Sequence, residues 1–295
     1  MSRNAIFFVL MCLVWGVTFL PIKVASAHAP PIFLAAVRFA VAGALMLLWA
    51  GRDAFKVPGW SLRRLVGTGL LVNTGNYTFL FWGIAHAPSG LAAVVNMATI
   101  PVYSLLASRV IEGGTISRRR IVAILLGAAG LGFLFASRMR AGAAAATGDP
   151  LELWGLAAVA FGTLLYCVGA VLTRAIAPAM PILALAGWQT VSGALGLIVI
   201  SLMLEPVSVE HLRALVLWPV WPAMATLIVG GSLIGFTIYV KLLHEWGAFR
   251  AGLYAFVSPV IAVAAGIVVL GEPFGWAEGV GALLMFGAAA IALRR

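Results

Sequence analysis

Apolar residues fill long, continuous stretches of the chain, and polar residues are confined to short intervals between them. Cut at proline, glycine and charge, the stretches predict ten spans, at residues 5–24, 31–51, 65–85, 90–110, 120–137, 151–173, 181–204, 220–243, 249–270 and 276–293. Each is close to the roughly 20 residues that an α-helix needs to cross a bilayer. Helices are expected because lipid cannot satisfy exposed backbone groups, and the stretches are too long for barrel strands. The pattern predicts an all-α membrane protein with ten transmembrane helices.

The first span resembles a secretory signal peptide at both of its ends. Arg3 precedes the apolar run, and Ala25-Ser26-Ala27 imitates a cleavage site. The run from Ala5 to Val24 nevertheless has full spanning length, whereas the apolar core of a signal is usually about 7–15 residues long. Lys23 also lies beside the supposed cleavage site. We therefore expect an uncleaved first helix.

Composition supports a chain surrounded by lipid. Hydrophobic residues make up 63% of the sequence, charged residues 9%, and the mean hydropathy is +1.09. Soluble proteins carry roughly 25% charged residues, so a soluble domain is excluded. The net charge of +10 does not indicate nucleic-acid binding, because the basic residues are scattered through short loops. Cys12 and Cys167 lie inside apolar segments and are expected to be small core residues rather than a disulfide framework.

The basic residues also predict an orientation. With a cytoplasmic N-terminus, 14 of the 19 basic residues fall on the cytoplasmic side. They are Arg3, Arg52, Lys56, Arg63, Arg64, Arg109, Arg118, Arg119, Arg120, Arg174, Lys241, Arg250, Arg294 and Arg295. The outer side keeps Lys23, Arg138, Arg140 and Arg213, and Arg38 falls within a span. This bias agrees with the positive-inside rule for ten spans, and it predicts that both termini are cytoplasmic.

The two halves of the chain resemble each other. A shift of 158 positions brings Pro101 onto Pro259, Gly113 onto Gly271 and His86 onto His244. Nearer the start, a shift of about 150 brings residues 41–45 onto residues 191–195. We expect two five-helix repeats, at 1–140 and 141–295. Because five is odd, the second repeat must enter the membrane from the opposite side, and inverted repeats are characteristic of secondary transporters that bind substrate near the midplane.

Several motifs resemble the EamA family of the drug/metabolite transporter superfamily. The stretches WGVTFLPIKVA and PPIFLAAVRFAVAGALML resemble the family's first two helices. APSGLAAVVNMATIPVYSLLAS and FVSPVIAVAAGIVVLGEPFGWAEGVGALLMFGAAA resemble its repeated fourth-to-fifth and ninth-to-tenth helix units. The resemblance covers essentially the whole chain. It is greatest to bacterial exporters of amino acids and related metabolites, of the O-acetylserine/cysteine type.

The resemblance implies a secondary transporter in the bacterial inner membrane that exports small metabolites, with amino acids or their derivatives as the expected class. An importer, or a lipid or sugar carrier of the same fold, is the nearest alternative, because sequence does not reveal direction. A channel is the alternative from a different class. An enzyme is not expected, because no nucleophile–base or metal cluster falls at membrane depth.

Polar and aromatic side chains inside the spans are the candidate binding residues, since such groups usually face the interior of a helix bundle. The third span carries three of them at helical spacing, and the fourth, eighth and ninth spans carry similar stripes. With Arg38 and two aromatic residues, the candidates are Trp15, Arg38, Asn73, Asn76, Tyr77, Asn96, Tyr103, Tyr166, Ser232, Tyr239, Tyr254 and Ser258. The alternative for the stripes is hydrogen bonding between helices.

Arg38 is the one basic residue well inside a span, and it is able to hold a substrate carboxylate bidentately or to snorkel toward the interface. Pro101 and Pro259 each remove a backbone hydrogen bond in the middle of a helix, which favours a gating joint over a static kink.

No acidic residue lies at mid-membrane depth, so no relay for proton coupling is evident. We expect no cofactor, no metal and no nucleic acid, and either a monomer or a homodimer in the bilayer with a small-molecule substrate.

Overall fold

The computed structural model describes residues 3–56, 59–86, 89–113, 116–142, 151–270 and 276–293. Over these ranges the chain forms helices joined by short turns, without a β-strand. The α-helices are α1 Arg3–Val17, α2 Phe19–Ser26, α3 Pro31–Ala50, α4 Gly59–Gly69, α5 Asn76–His86, α6 Ser89–Glu112, α7 Arg118–Gly142, α8 Glu152–Ile176, α9 Ile182–Leu204, α10 Val209–Ala214, α11 Val220–Thr226, α12 Thr237–Trp246, α13 Ala248–Gly252, α14 Tyr254–Leu270 and α15 Trp276–Leu293. The all-helical prediction is therefore confirmed.

Each predicted span coincides with a helix or with a run of helices; most ends agree closely, but α4 begins at Gly59 rather than at 65 and α7 ends at Gly142 rather than at 137. Among the described residues, four stretches are long and apolar enough to cross a membrane: Pro31–Phe55, Leu153–Ala179, Ile182–Leu204 and Val220–Trp246. The number of crossings therefore stays a prediction. The outer surface fits a lipid environment, because large apolar side chains such as Leu48, Trp49 and Leu202 are at least 70% exposed.

The first predicted span is interrupted. Helix α1 ends at Val17 and α2 begins at Phe19, with a turn at Thr18. Pro21 accounts for the break, since a proline ring clashes with the carbonyl four residues earlier, here that of Val17. The Thr18 hydroxyl donates to the carbonyl oxygen of Trp15 at 2.7 Å, which satisfies one of the carbonyls at the break.

The third and eighth predicted spans each contain a π-helical segment that hydrophobic patterning did not predict. Leu70–Gly75 connects α4 to α5, and Leu227–Phe236 connects α11 to α12. The two segments occupy equivalent places in the two halves. A π-turn bonds each residue to the fifth one along instead of the fourth, and such turns often occur at functional sites.

Helix packing relates the halves in a regular way. Helix α3 packs along α9, and α7 packs along α15, so the second and fifth spans each meet their counterpart. Helix α8 packs against α5 and α6, while α1 packs against α14 and the Leu227–Phe236 segment. The contacts of α1 in the first half are therefore equivalent to those of α8 in the second half. Both helices lie beside the centre of the bundle.

Polar side chains tie helix ends of one half to those of the other. The Glu205 carboxylate, just after α9, accepts hydrogen bonds from the backbone N–H groups of Ile32 (2.8 Å) and Phe33 (2.7 Å) at the start of α3. Negative charge is favourable at a helix N-terminus, where backbone donors lack partners. At another such contact, Arg174 at the end of α8 forms a 2.7 Å ion pair with Glu112 at the end of α6.

Candidate substrate-binding cavity

A cavity of about 270 Å³ lies among helices of both halves. It is close to the lower limit of about 300–1,000 Å³ for typical small-molecule sites. Its walls are mostly apolar and aromatic, with a few polar groups. The lining residues are Trp15, Thr18, Ile22, Arg38, Phe39, Val72, Asn73, Asn76, Tyr77, Leu80, Phe81, Asn96, Met97, Ile100, Tyr166, Gly231, Phe236, Tyr254 and Ser258.

Among the described residues of this lining, Arg38 supplies the only charged side chain. It lies two turns into α3 and is 7% exposed. Its Nε donates to Ser232 Oγ at 2.9 Å, and its guanidinium carbon lies 5.0 Å from the centre of the Phe39 ring. Within the described chain, no acidic side chain forms an ion pair with Arg38. The cavity is therefore locally positive.

Three polar residues reach the cavity from the π-helical segment Leu70–Gly75 and the start of α5. Asn73 is buried and donates from Nδ2 to the Gln189 carbonyl on α9 at 3.2 Å. Asn76 Oδ1 is buried without a hydrogen-bond partner in the described structure. The Tyr77 ring packs edge-on against Phe39, with ring centres 5.0 Å apart. The segment thus presents the fixed amide of Asn73, and the start of α5 presents the Asn76 oxygen, which is free to accept a hydrogen bond.

Helix α6 contributes Asn96, whose Nδ2 donates to Thr163 Oγ1 on α8 at 2.9 Å. The neighbouring Thr99 hydroxyl bonds to carbonyls of its own helix and not to another element. Tyr103, one turn further on, is absent from the cavity lining and packs against the hydrophobic core. The predicted fourth-span stripe therefore reaches the cavity only at its beginning.

One wall consists of aromatic rings from α1, α8 and α14, and a ring from α12 packs behind them. Trp15 meets Tyr254 edge-on at 4.5 Å and Tyr239 at 5.4 Å between ring centres. The Tyr254 hydroxyl donates to the Tyr166 hydroxyl at 3.2 Å, while Trp15 Nε1 donates to the Gly231 carbonyl at 2.9 Å. These bonds orient the rings, and they leave aromatic faces available to an apolar or cationic group.

The structure brings nine of the twelve predicted binding residues to the cavity: Trp15, Arg38, Asn73, Asn76, Tyr77, Asn96, Tyr166, Tyr254 and Ser258. Ser232 and Tyr239 lie behind this lining, where Ser232 holds Arg38 and Tyr239 packs on Trp15. Pro101 and Pro259 are buried inside α6 and α14, respectively, without ending either helix. The roles assigned to all of these residues stay predictions.

Sequence reasoning missed several neighbours of these residues. Thr18 and Gly231 line the cavity, and Thr163 holds Asn96 from behind. Thr18 falls inside the predicted first span, although the proline three positions later indicates a break there. Gly231 gave no signal, because its place beside Arg38 depends on contact between elements 193 residues apart in sequence. In the described part of the chain, no three His, Cys, Asp or Glu side chains come together to hold a metal.

Long apolar helices around an internal cavity with a few convergent polar groups define a polytopic membrane transporter. Residues 3–136 and 153–294 each match the EamA-like transporter family. The chain belongs to this family, and it contains two copies of the family's repeat.

Individual relatives agree with that membership. The chain is 27% identical over 293 residues to the "Probable amino-acid metabolite efflux pump" of Salmonella typhimurium, covering 97% of this chain and 93% of the relative. It is 30% identical over 266 residues to the "Uncharacterized inner membrane transporter YedA" of Escherichia coli, covering 88% and 80%. A solved crystal structure superposes with a TM-score of 0.78 over 99% of this chain and 97% of its own, at 23% identity, which shows a shared fold.

Proposed function

We propose that this protein is a secondary transporter that exports amino acids or closely related metabolites across the bacterial inner membrane. The observation that carries the proposal is the cavity, because one site combines a cationic donor, an unpartnered amide acceptor and aromatic faces. An amino acid offers the matching groups: a carboxylate for Arg38, and an ammonium that donates to Asn76 Oδ1. The name of the Salmonella relative adds support for this substrate class and for efflux.

Alternating access is the proposed mechanism. The two repeats, at 1–140 and 141–295, make equivalent contacts with each other: α8 contacts the third and fourth spans, as α1 contacts the eighth and ninth. This symmetry supports an inverted relation between them. In such an arrangement, rocking of one repeat against the other opens the central cavity to each side in turn. The Arg174–Glu112 ion pair connects helix ends that the charge distribution assigns to the cytoplasm, so we propose that it breaks when the cavity opens inward.

The proposed topology has ten spans with both termini in the cytoplasm. Ten helical runs at the predicted places support the number of spans, and the distribution of basic residues supports the orientation. The inner-membrane assignment is supported by the name of the Escherichia coli relative.

Counterflow into proteoliposomes tests the function directly. Purified protein is reconstituted, and the vesicles are loaded with one unlabelled amino acid at a time and supplied outside with its labelled form, across all twenty. Saturable uptake stimulated by internal amino acid is expected for at least one compound. A non-saturating flux indicates a channel, and the absence of flux for every amino acid contradicts the amino-acid proposal.

Asn73→Ala tests whether the cavity is the transport site. Loss of the amide detaches the cavity wall from the Gln189 carbonyl, so we expect transport to fall at least tenfold at unchanged membrane expression. Leu70→Ala is the control, because Leu70 belongs to the same π-helical segment but is exposed on its outer face. Normal flux in both Asn73→Ala and Arg38→Ala rules out these two residues as parts of the site.

A further inference from the structure

We propose that the cavity selects its substrate through a carboxylate group, which binds to the edge of the Arg38 guanidinium formed by Nη1 and Nη2. Gly231 and Ser232 of the opposite repeat are the positioning residues for this edge. The proposal rests on the transport function proposed above and specifies the chemical group of the substrate that the site recognises.

The first argument is the unbalanced charge of Arg38. Its side chain is more than nine-tenths buried, and a buried cation is costly unless an anion accompanies it. The acidic side chains in the described part of the chain that form ion pairs or capping bonds have other partners: Asp53 pairs with Lys56, Glu112 with Arg174 and Glu245 with Lys241, and Glu205 caps α3. The missing counter-charge is therefore expected from a ligand.

The second argument is the direction in which the guanidinium remains free. Of its five N–H donors, the one on Nε is occupied by Ser232 Oγ. One face lies on the Phe39 ring, and Gly231 lies beside Nη2. The four Nη donors have no hydrogen-bond partner among the described residues, and Arg38 lines the cavity. The Nη edge is thus available for binding in the cavity.

The third argument distinguishes a carboxylate from a phosphate. Two parallel N–H groups on one guanidinium edge match the two oxygens of a planar carboxylate. Among the described lining residues Arg38 is the only charged one, so its guanidinium pairs with the single charge of a carboxylate, whereas the second charge and third oxygen of a phosphate dianion meet no further cation there. A carboxylate therefore fits both the geometry and the charge.

Gly231 controls the direction of the Nη1–Nη2 edge of the Arg38 guanidinium. A Cβ built on this residue would lie 2.6 Å from Arg38 Nη2, so a methyl group there must displace the guanidinium. The displaced atom is the end of a flexible side chain, and the next neighbour, Thr18 Cγ2 at 3.1 Å, must move by only a few tenths of an ångström. A Cβ on the preceding residue, Gly230, would be 3.5 Å from Val14 Cγ1, an ordinary van der Waals contact. Gly231→Ala and Gly230→Ala are therefore a matched pair.

The experiment compares competitors in the counterflow assay. Each amino acid that is transported by the wild-type protein is competed with its unlabelled acid, its carboxamide and its aminophosphonate analogue. We expect the carboxamide and the phosphonate to compete about 10- to 100-fold more weakly than the acid, as hydrogen bonds to a charged group imply. Arg38→Gln should abolish the preference for acid over amide, and Gly231→Ala should reduce it at least fivefold. Gly230→Ala should keep it.

The possible results separate the two proposals. Equal competition by acid and carboxamide in the wild-type protein overturns the carboxylate proposal and leaves transport intact. Stronger competition by the phosphonate overturns it in favour of a phosphate-type anion. If Arg38→Gln does not reach the membrane, Gly231→Ala provides the test. An unchanged preference for acid over amide in that variant contradicts the positioning role of Gly231. Absence of transport for every amino acid contradicts amino-acid export, and the carboxylate proposal, which rests on it, with it.

Discussion

Asn96 illustrates what a single polar side chain does inside this bundle. Its amide faces the cavity and at the same time donates to the Thr163 hydroxyl, which in turn donates to the Val159 carbonyl of its own helix at 2.8 Å. The sequence left two alternatives for such a residue, contact with substrate or a hydrogen bond between helices. Asn96 is placed to do both. The hydrogen bond fixes the amide, and fixing lowers the entropy lost when a substrate binds.

Thr163→Val tests this positioning role. Valine has nearly the same shape but no acceptor, so Asn96 Nδ2 loses its partner at a cost of about 1–3 kcal/mol. We expect a raised KM for transport at similar expression. Thr68→Val is the control, since Thr68 is also buried, its hydroxyl donates to the Leu65 carbonyl of its own helix at 2.9 Å, and it lies outside the cavity lining. The same KM shift in both variants contradicts a specific role for the Asn96–Thr163 pair.

At the scale of elements, the bundle depends on helices that approach closely through small residues. Gly69 at the end of α4 lies against α9, where a Cβ would be 1.9 Å from Ser192 Oγ and 2.5 Å from the Gln189 carbonyl oxygen. Gly193 on α9 faces Asn73 in the same way, with a Cβ 2.4 Å from the Asn73 Cβ. Close approach of this kind is how helices associate in lipid, where burial of apolar surface provides no driving force.

Gly69→Ala is expected to destabilise the protein, whereas Gly67→Ala is not. At Gly69 the added methyl meets backbone that cannot yield, and overpacking of this kind costs about 1–3 kcal/mol. At Gly67 a Cβ has no neighbour within 4 Å, and alanine favours the helix. Thermal unfolding of the detergent-purified variants, followed by tryptophan fluorescence, measures the difference. Equal melting temperatures would show that α4 and α9 do not approach as closely as described.

At the scale of the whole molecule, the proposed topology places the loop after α6 in the cytoplasm and the loop after α9 outside. Both native cysteines are fully buried, so the wild-type chain provides a nearly silent background for thiol labelling. Ile116 in the first of these loops and Val209 at the start of α10, just after the second, are exposed and are suitable positions for an added cysteine.

A membrane-impermeant maleimide should label Val209→Cys in intact cells and Ile116→Cys only after the inner membrane is permeabilised. The physical reason is the positive-inside bias, which assigns Arg118, Arg119 and Arg120 next to Ile116 to the cytoplasm. The wild-type protein is the control for background labelling. Labelling of both variants in intact cells contradicts the ten-span topology, because an odd number of crossings lies between the two sites.

Hydrophobic patterning by itself determined that the chain is helical and where the helices lie, because lipid requires every backbone group to bond within its own segment. Alignment of the two halves, in which Pro101 matches Pro259, also showed which helices of one half are equivalent to those of the other. Most of the predicted binding residues also reach one cavity, since polar groups inside apolar spans have few other places to lie.

The tertiary structure alone decided how those residues are paired and which of them face the cavity. The break at Thr18 and the π-helical segments Leu70–Gly75 and Leu227–Phe236 change the direction of side chains by less than a turn, a shift that apolar periodicity does not register. Ser232 and Tyr239 consequently lie behind the cavity wall, and Tyr103 packs in the core. The unbalanced charge of Arg38 beside Gly231 arises from contact between distant helices, and no local pattern of residues encodes such a contact.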